Sequence, residues 1–333
     1  MARGDRVIFL RNPPGPDAHI NDFLDGWYEA VREAGVAQVQ VPNWPGRPAT
    51  ASALSRLIPQ RPLPWASTAA LTPLSWASDR DLFPYAFAYR IVPWIYDCWP
   101  SQWDRWEALL ARLRVPMAFF SSQSATREFT RRMPKLRCAW IPEAVDPHRY
   151  DPTCRLAARR IDVLELGRLS LPLHRRLGPA LAERGLRHEF QVPGAARLYA
   201  GQEALRAALA QTRLLVCLPK SITHPEAAGG LETVTHRYFE GIASGCVLVG
   251  HCPAELRELW GFDPVVPIDR EQPELSVLKA LDHVDRLQDL VDRNLQRMHE
   301  VGTWGHRAAT MVTAIEAAKP RSGLRAVVLD VLL

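Results

Sequence analysis

Lysine is nearly missing from this chain. Of 41 basic residues only four, Lys135, Lys220, Lys279 and Lys319, are lysines, so the net charge of +5 is carried almost wholly by arginine. At this length the surplus is mild, and no nucleic-acid partner is expected. The arginine bias fits a GC-rich genome first, and only secondarily an attraction to anionic donors, acceptors or a membrane surface met peripherally. No run of about 18 apolar residues occurs, which excludes a membrane-spanning helix of ordinary length. Residues 1–6 lead straight into a strand-like segment with no apolar signal core, so the chain is expected to be unprocessed and cytoplasmic. The six cysteines form no C-x-x-C pair and have no histidine at metal-ligand spacing. That speaks against a structural zinc site and for reduced thiols.

What is present is a repeating alternation of short β-branched runs and amphipathic helical segments. At 333 residues about two domains are expected, each with its own core. Residues 6–10 read as a strand. The helix after them repeats Phe23, Leu24, Trp27, Tyr28 and Val31 at helical spacing and stops at Gly35, and residues 37–44 alternate as a second strand. Residues 45–84 are proline-rich and weakly periodic, and predict loops, a short helix and at most one strand. Strands at 90–97, 117–123 and 136–142 alternate with two helices, the first carrying Trp103, Trp106, Leu109, Leu110 and Leu113 on one face. Residues 146–160 read as a linker, after which strands are predicted at 161–166, 188–192, 214–218, 247–250 and 264–268, separated by helices. The tail from residue 274 to 318 reads as helix in two or three pieces. This pattern predicts an α/β chain with two parallel sheets, each covered by helices on both sides.

Residues 226–252, EAAGGLETVTHRYFEGIASGCVLVGHC, organise the rest. A glycine-bearing loop opens a helix whose apolar stripe is Tyr238, Phe239, Ile242 and Ala243; Gly245 ends it, and a buried strand follows. Unpaired N–H groups and the positive end of the helix dipole make such a mouth an anion site. Thr235, His236 and Arg237 stand at that mouth, and the carboxylate of Glu240, one turn inside, suits a vicinal diol. Phosphate plus ribose describes a nucleotide diphosphate.

Glu232-x7-Glu240 followed by GIASG and a strand resembles the donor-site signature of retaining glycosyltransferases of the GT-B fold, group 1 or family 4 type. HRYFEGIASG is most similar to the CgeB-like branch, AWIPEAVDPHRYDP (139–152) resembles the segment that closes the family's first domain, and VLELGRL (163–169) its GRL strand end. The resemblance implies a GT-B arrangement of two Rossmann-like domains facing a cleft. The acceptor domain would span 1–150 and the donor domain 151–303, with 304–333 returning to the first. It implies ribose binding by Glu240, a place for Glu232 beside the donor sugar, and diphosphate binding by Arg168 after Gly167. The family's lysine some five residues later is replaced by Leu173, so His174, Arg175, Arg176 or Lys220 would stand in. In the first domain Asp97 occupies the slot of a residue near the sugar hydroxyls, although a cap for the helix opening at Ser101 is the alternative. Asn12 and His19 lie in the loop on the acceptor side, and Trp76, Trp94 and Trp99 near strand ends are candidates for an acceptor pocket.

The reaction implied moves a sugar from a nucleotide diphosphate, UDP or GDP favoured by the ribose contact, to a hydroxyl of an unidentified glycan, lipid-linked or small-molecule acceptor. Retention is implied, with Asp97, Glu232 and Arg168 closest to the chemistry. No cofactor or metal is expected, because cations and a helix dipole face the phosphates. Inverting transfer with Asp97 or His19 as base, nucleotide-sugar epimerisation, and non-catalytic nucleotide-sugar binding remain as alternatives.

Overall fold

The computed structural model describes residues 7–14, 18–41, 67–78, 85–167, 169–192 and 194–318, together with Pro62 and Leu82. Two all-parallel sheets organise them. The first contains β1 (Val7–Arg11), β2 (Ala37–Gln40), β3 (Ala69–Leu74), β4 (Arg90–Ile95), β5 (Met117–Phe120) and β6 (Arg137–Trp140), in the order β2-β1-β3-β4-β5-β6. The second contains β7 (Ile161–Glu165), β8 (His188–Phe190), β9 (Thr212–Cys217), β10 (Val247–Gly250) and β11 (Val265–Pro267), in the order β11-β10-β9-β7-β8. In each, strand order reverses once, between β1 and β3 and between β7 and β9. Such switch points are where open α/β sheets leave a crevice at their strand C-terminal ends.

β3 is the one strand that the sequence reading allowed between residues 45 and 84 without placing it. It lies inside the proline-rich stretch and takes a central place between β1 and β4. Pro73 argues against a central strand because it cannot donate to the ladder, yet it pairs in register with Trp94 while Pro93 of β4 pairs with Thr72.

Helix Ala18–Glu33 covers the first sheet by burying Phe23, Trp27, Tyr28 and Val31. Against it lies the last described helix, Trp304–Ala317, with Trp304, Met311 and Ile315 in the same core cluster. Burying Phe23 and Met311 there stabilises the contact by about 1.5–3 kcal/mol each. Trp94 belongs to this core and donates its indole N–H to Ile141 O at 2.9 Å, so it faces no acceptor pocket.

In the second domain, helix His236–Ala243 lies directly on the sheet, which explains Gly241: a Cβ there would stand 2.5 Å from Leu248 and 2.6 Å from Leu215. Gly245, at φ +69°, ends the helix in the left-handed turn that favours glycine. Buried Arg159 ties the linker to this domain, donating to the carbonyls of Cys154, Thr212 and Ser244 at 2.8 Å each. All six cysteines are free thiols, and no described helix is long and apolar enough to cross a membrane.

Candidate functional site

A cavity of about 640 Å³ opens between the two sheets, lined by residues from both. From the first domain come Ile20 and Phe23, Trp76 after β3, Tyr96, Asp97 and Trp99 after β4, and Glu143 after β6. From the second come Glu165 and Gly167 at the end of β7, Lys220 after β9, and Thr235 to Tyr238 at the mouth of helix His236–Ala243. Every strand that contributes does so at its C-terminal end.

The helix mouth is the most ordered part of this wall. Thr235 occupies the N-cap position without a side-chain cap bond. The His236 N–H is instead accepted at 2.5 Å by the carboxylate of Glu143, which arrives from the first domain. Negative charge at a helix N-terminus is favourable, so Glu143 already holds the first donor of the predicted anion site. The His236 ring packs edge-on against Phe23 at 4.8 Å and directs Nδ1 to Ala144 O at 3.2 Å and Nε2 to Glu240 at 3.3 Å. Both nitrogens thus face oxygen atoms.

Glu240 is 1% exposed and lies behind the cavity wall, not on it. Arg237 Nη1 stands 2.5 Å from one carboxylate oxygen, and His236 and Tyr150 Oη, at 3.5 Å, approach the other. Burial pushes the carboxyl up, but the charges of Arg237 and His236, with hydrogen bonds from His236 and Tyr150, outweigh it and hold Glu240 down at about 2. The geometry therefore makes Glu240 an anchor for the two cations that line the cavity.

The remaining predicted residues divide. Gly167, at φ +82°, and Lys220 line the cavity, with Lys220 Nζ 3.9 Å from the centre of the Trp99 ring across the cleft. Asp97 lines it too. It is exposed, adopts φ +56°, and caps no helix: the segment opening at Pro100 has Trp99 as its N-cap residue, without a side-chain bond. A non-glycine residue in that region costs about 1–2 kcal/mol, least for Asp and Asn. Glu232 stands apart, accepting from Ala254 N–H at 2.9 Å and meeting His251 Nε2 at 2.8 Å. Arg175 is exposed on its helix, outside the cavity lining. The Asn12 N–H donates to Tyr28 Oη at 3.2 Å, likewise outside the lining. Arg168 and the His19 side chain fall outside the described residues.

Two residues that sequence reasoning passed over matter here. Glu143 was legible only as part of a family-like segment; its partner is 93 positions away. Glu255, 4% exposed, links the domains: it accepts from Ser122 Oγ (3.2 Å) and Gln123 N–H (2.6 Å) of the first, and from Thr233 Oγ1 (3.0 Å) and Val234 N–H (3.3 Å) of the donor loop. Burial raises its carboxyl despite these four bonds. A D-x-D pair, Asp79 and Asp81, was also overlooked in expecting a metal-free site, and lies outside the described residues.

No family model and no curated protein sequence matches the chain. Solved structures do match. HepE of Anabaena, solved in complex with UDP, superposes with a TM-score of 0.56 at 11% identity over 94% of this chain and 100% of its own. Sucrose-phosphate synthase from Thermosynechococcus elongatus gives 0.55 at 12% identity over 94% and 98%. AviGT4, a glycosyltransferase involved in avilamycin A biosynthesis, gives 0.56 at 15% identity over 92% and 96%. At such identities the likeness is one of architecture, and the architecture is GT-B: two Rossmann-like α/β domains, with parallel sheets of six and five strands, facing a central cleft.

Proposed function

We propose that this chain is a glycosyltransferase that moves a sugar from a nucleoside diphosphate, UDP or GDP, to an acceptor hydroxyl. The observation that carries the reading is the two-sided cavity at the strand ends of a GT-B fold, with Arg237 and Lys220 on its second-domain wall. HepE, of the same architecture, was solved with UDP and with UDP-glucose.

Because Glu143 occupies the first N–H of the helix mouth, the diphosphate meets the side chains of Arg237 and Lys220, and Arg168, which follows Gly167 in the sequence, is a further proposed contact. Glu240 acts through Arg237 and His236 as a positioning residue, and Glu232 fixes the donor loop against His251. Asp97 orients a sugar hydroxyl. The chain's own cations hold the leaving diphosphate as charge develops on the sugar, so the step itself calls for no metal. The acceptor, whether glycan, lipid-linked or small-molecule, lies against Ile20, Trp76 and Trp99. We assign retention of configuration.

A second reading, inverting transfer, is favoured by the exposed Asp97 carboxylate, which caps no helix and is free to serve as a base. A panel of UDP- and GDP-sugars, read by release of free nucleoside diphosphate and by the anomeric coupling of the product, separates the readings. A retained anomer with turnover surviving Asp97→Asn supports the first. An inverted anomer with turnover lost in that variant supports the second, and no turnover with any donor removes both.

A further inference from the structure

One corner of the cavity carries a cluster that the proposed reaction does not use. Glu165, the last residue of β7, is 3% exposed, and one of its oxygens, Oε1, lies 2.7 Å from His174 Nδ1 and 2.9 Å from His188 Nε2. His188 opens the neighbouring strand β8, and His174 stands on the first turn of helix Leu171–Glu183, so three elements converge on one point. The imidazole centres are 5.5 Å apart, and both rings rest against Phe190, at 4.3 and 5.0 Å. The three ligating atoms all lie within 4.8 Å of one another.

Two imidazole N–H groups donating to one carboxylate oxygen would satisfy the cluster internally. The same convergence is also what an open three-ligand metal site requires. An ion held at about 2.0–2.1 Å by each ligand places the ligating atoms roughly 3.3 Å apart, and the ring centres, about 1 Å behind their nitrogens, roughly 5 Å apart. The 5.5 Å seen here lies near that value, while the N–O distances of 2.7 and 2.9 Å are those of hydrogen bonds and would open by about 0.5 Å on binding. Two imidazoles and a carboxylate, with no thiolate, select a borderline divalent ion over calcium or magnesium. Of the three, only Glu165 lines the cavity, which puts the cluster at its edge.

We propose that Glu165, His174 and His188 form a binding site for a divalent transition-metal ion of the zinc type, with its fourth coordination position open to the interdomain cavity. On binding, each imidazole keeps one proton, moved to its other nitrogen, Nε2 of His174 and Nδ1 of His188, and no covalent step occurs. The site stands on the cluster alone. Only the further statement, that the open position takes a donor phosphate oxygen and lowers the donor KM without being required for transfer, rests on the proposed function.

The test titrates chelator-stripped full chain with Co2+, read by visible d–d absorption, and with Zn2+, read by elemental analysis after gel filtration. The expected result is one equivalent of metal with tetrahedral nitrogen and oxygen bands, a rise in melting temperature with Zn2+, and loss of both in His174→Gln and Glu165→Gln. Retention by the wild-type chain of no more metal than His174→Gln would overturn the site, as would thiolate charge-transfer bands, which point to cysteine. X-ray absorption on the wild-type chain reads the ligand type even if a variant fails to fold. Nucleotide binding measured in chelator keeps the donor reading separate: UDP binding without metal uptake defeats the site alone, and metal uptake without nucleotide binding defeats the donor reading alone.

Discussion

The two walls of the cleft are built on opposite plans. The first-domain wall is mainly apolar with one exposed carboxylate, Asp97: Trp76 is 69% exposed and Ile20 49%, beside Phe23, Tyr96 and Trp99. The second-domain wall presents Arg237 and His236 with the buried carboxylate of Glu240 behind them, and Glu143 of the first domain reaches across to the His236 N–H. A wall of fixed, internally paired charge is organised before a ligand arrives and suits one invariant anionic group. An apolar wall recognises by area and tolerates variety. The contrast is what a constant nucleotide diphosphate on one side and a separately chosen acceptor on the other would require.

The contrast can be broken by truncating one residue on each side. Glu240→Ala leaves the half-buried Arg237 without its counter-charge and should cost about 1–3 kcal/mol in urea unfolding. Next in size, Arg237→Ala should weaken UDP binding by about 10- to 100-fold in calorimetry, the loss of a charge-assisted contact.

The two buried acids of the second domain sharpen the comparison through pH. Glu240 is depressed to about 2 from an ordinary 4.5, so its stabilisation is complete above 4.5 and is lost as pH falls from 4.5 towards 2. Glu255 is raised by burial, so folding favours its protonated form, and stability declines as pH rises through the raised value. Denaturant midpoints across pH should flatten below 4.5 in Glu240→Gln and above 4.5 in Glu255→Gln, and exchanged windows would refute the assignment. The smallest stability effect is expected on the apolar wall: Trp76→Ala should change stability by no more than about 0.5 kcal/mol and leave UDP affinity unchanged while raising the acceptor KM.

Much of the fold was legible because its signals are local. Strand runs, helix stripes and stops such as Gly35 and Gly245 act over a few residues, and both parallel sheets follow from them. β3 was obscured because Pro73 speaks against a strand while the neighbouring strands decide for one. The helix mouth was legible as well, but not what it meets. Glu240 is three and four positions from Arg237 and His236, on their face of the helix and one turn deeper, so its carboxylate turns to them before it reaches a ligand. Glu143, Glu255 and the Glu165 cluster act through partners 9 to 133 positions away, and no spacing rule reports such pairs.

The central claim is that the second-domain wall around Arg237 holds a nucleoside diphosphate. Calorimetric titration of UDP and GDP into the wild-type chain, Arg237→Ala and Trp76→Ala tests it most directly. The account predicts binding of at least one nucleotide by the wild-type chain, unchanged in Trp76→Ala and weakened about 10- to 100-fold in Arg237→Ala. Equal affinity in all three, or binding lost in Trp76→Ala and kept in Arg237→Ala, would contradict it.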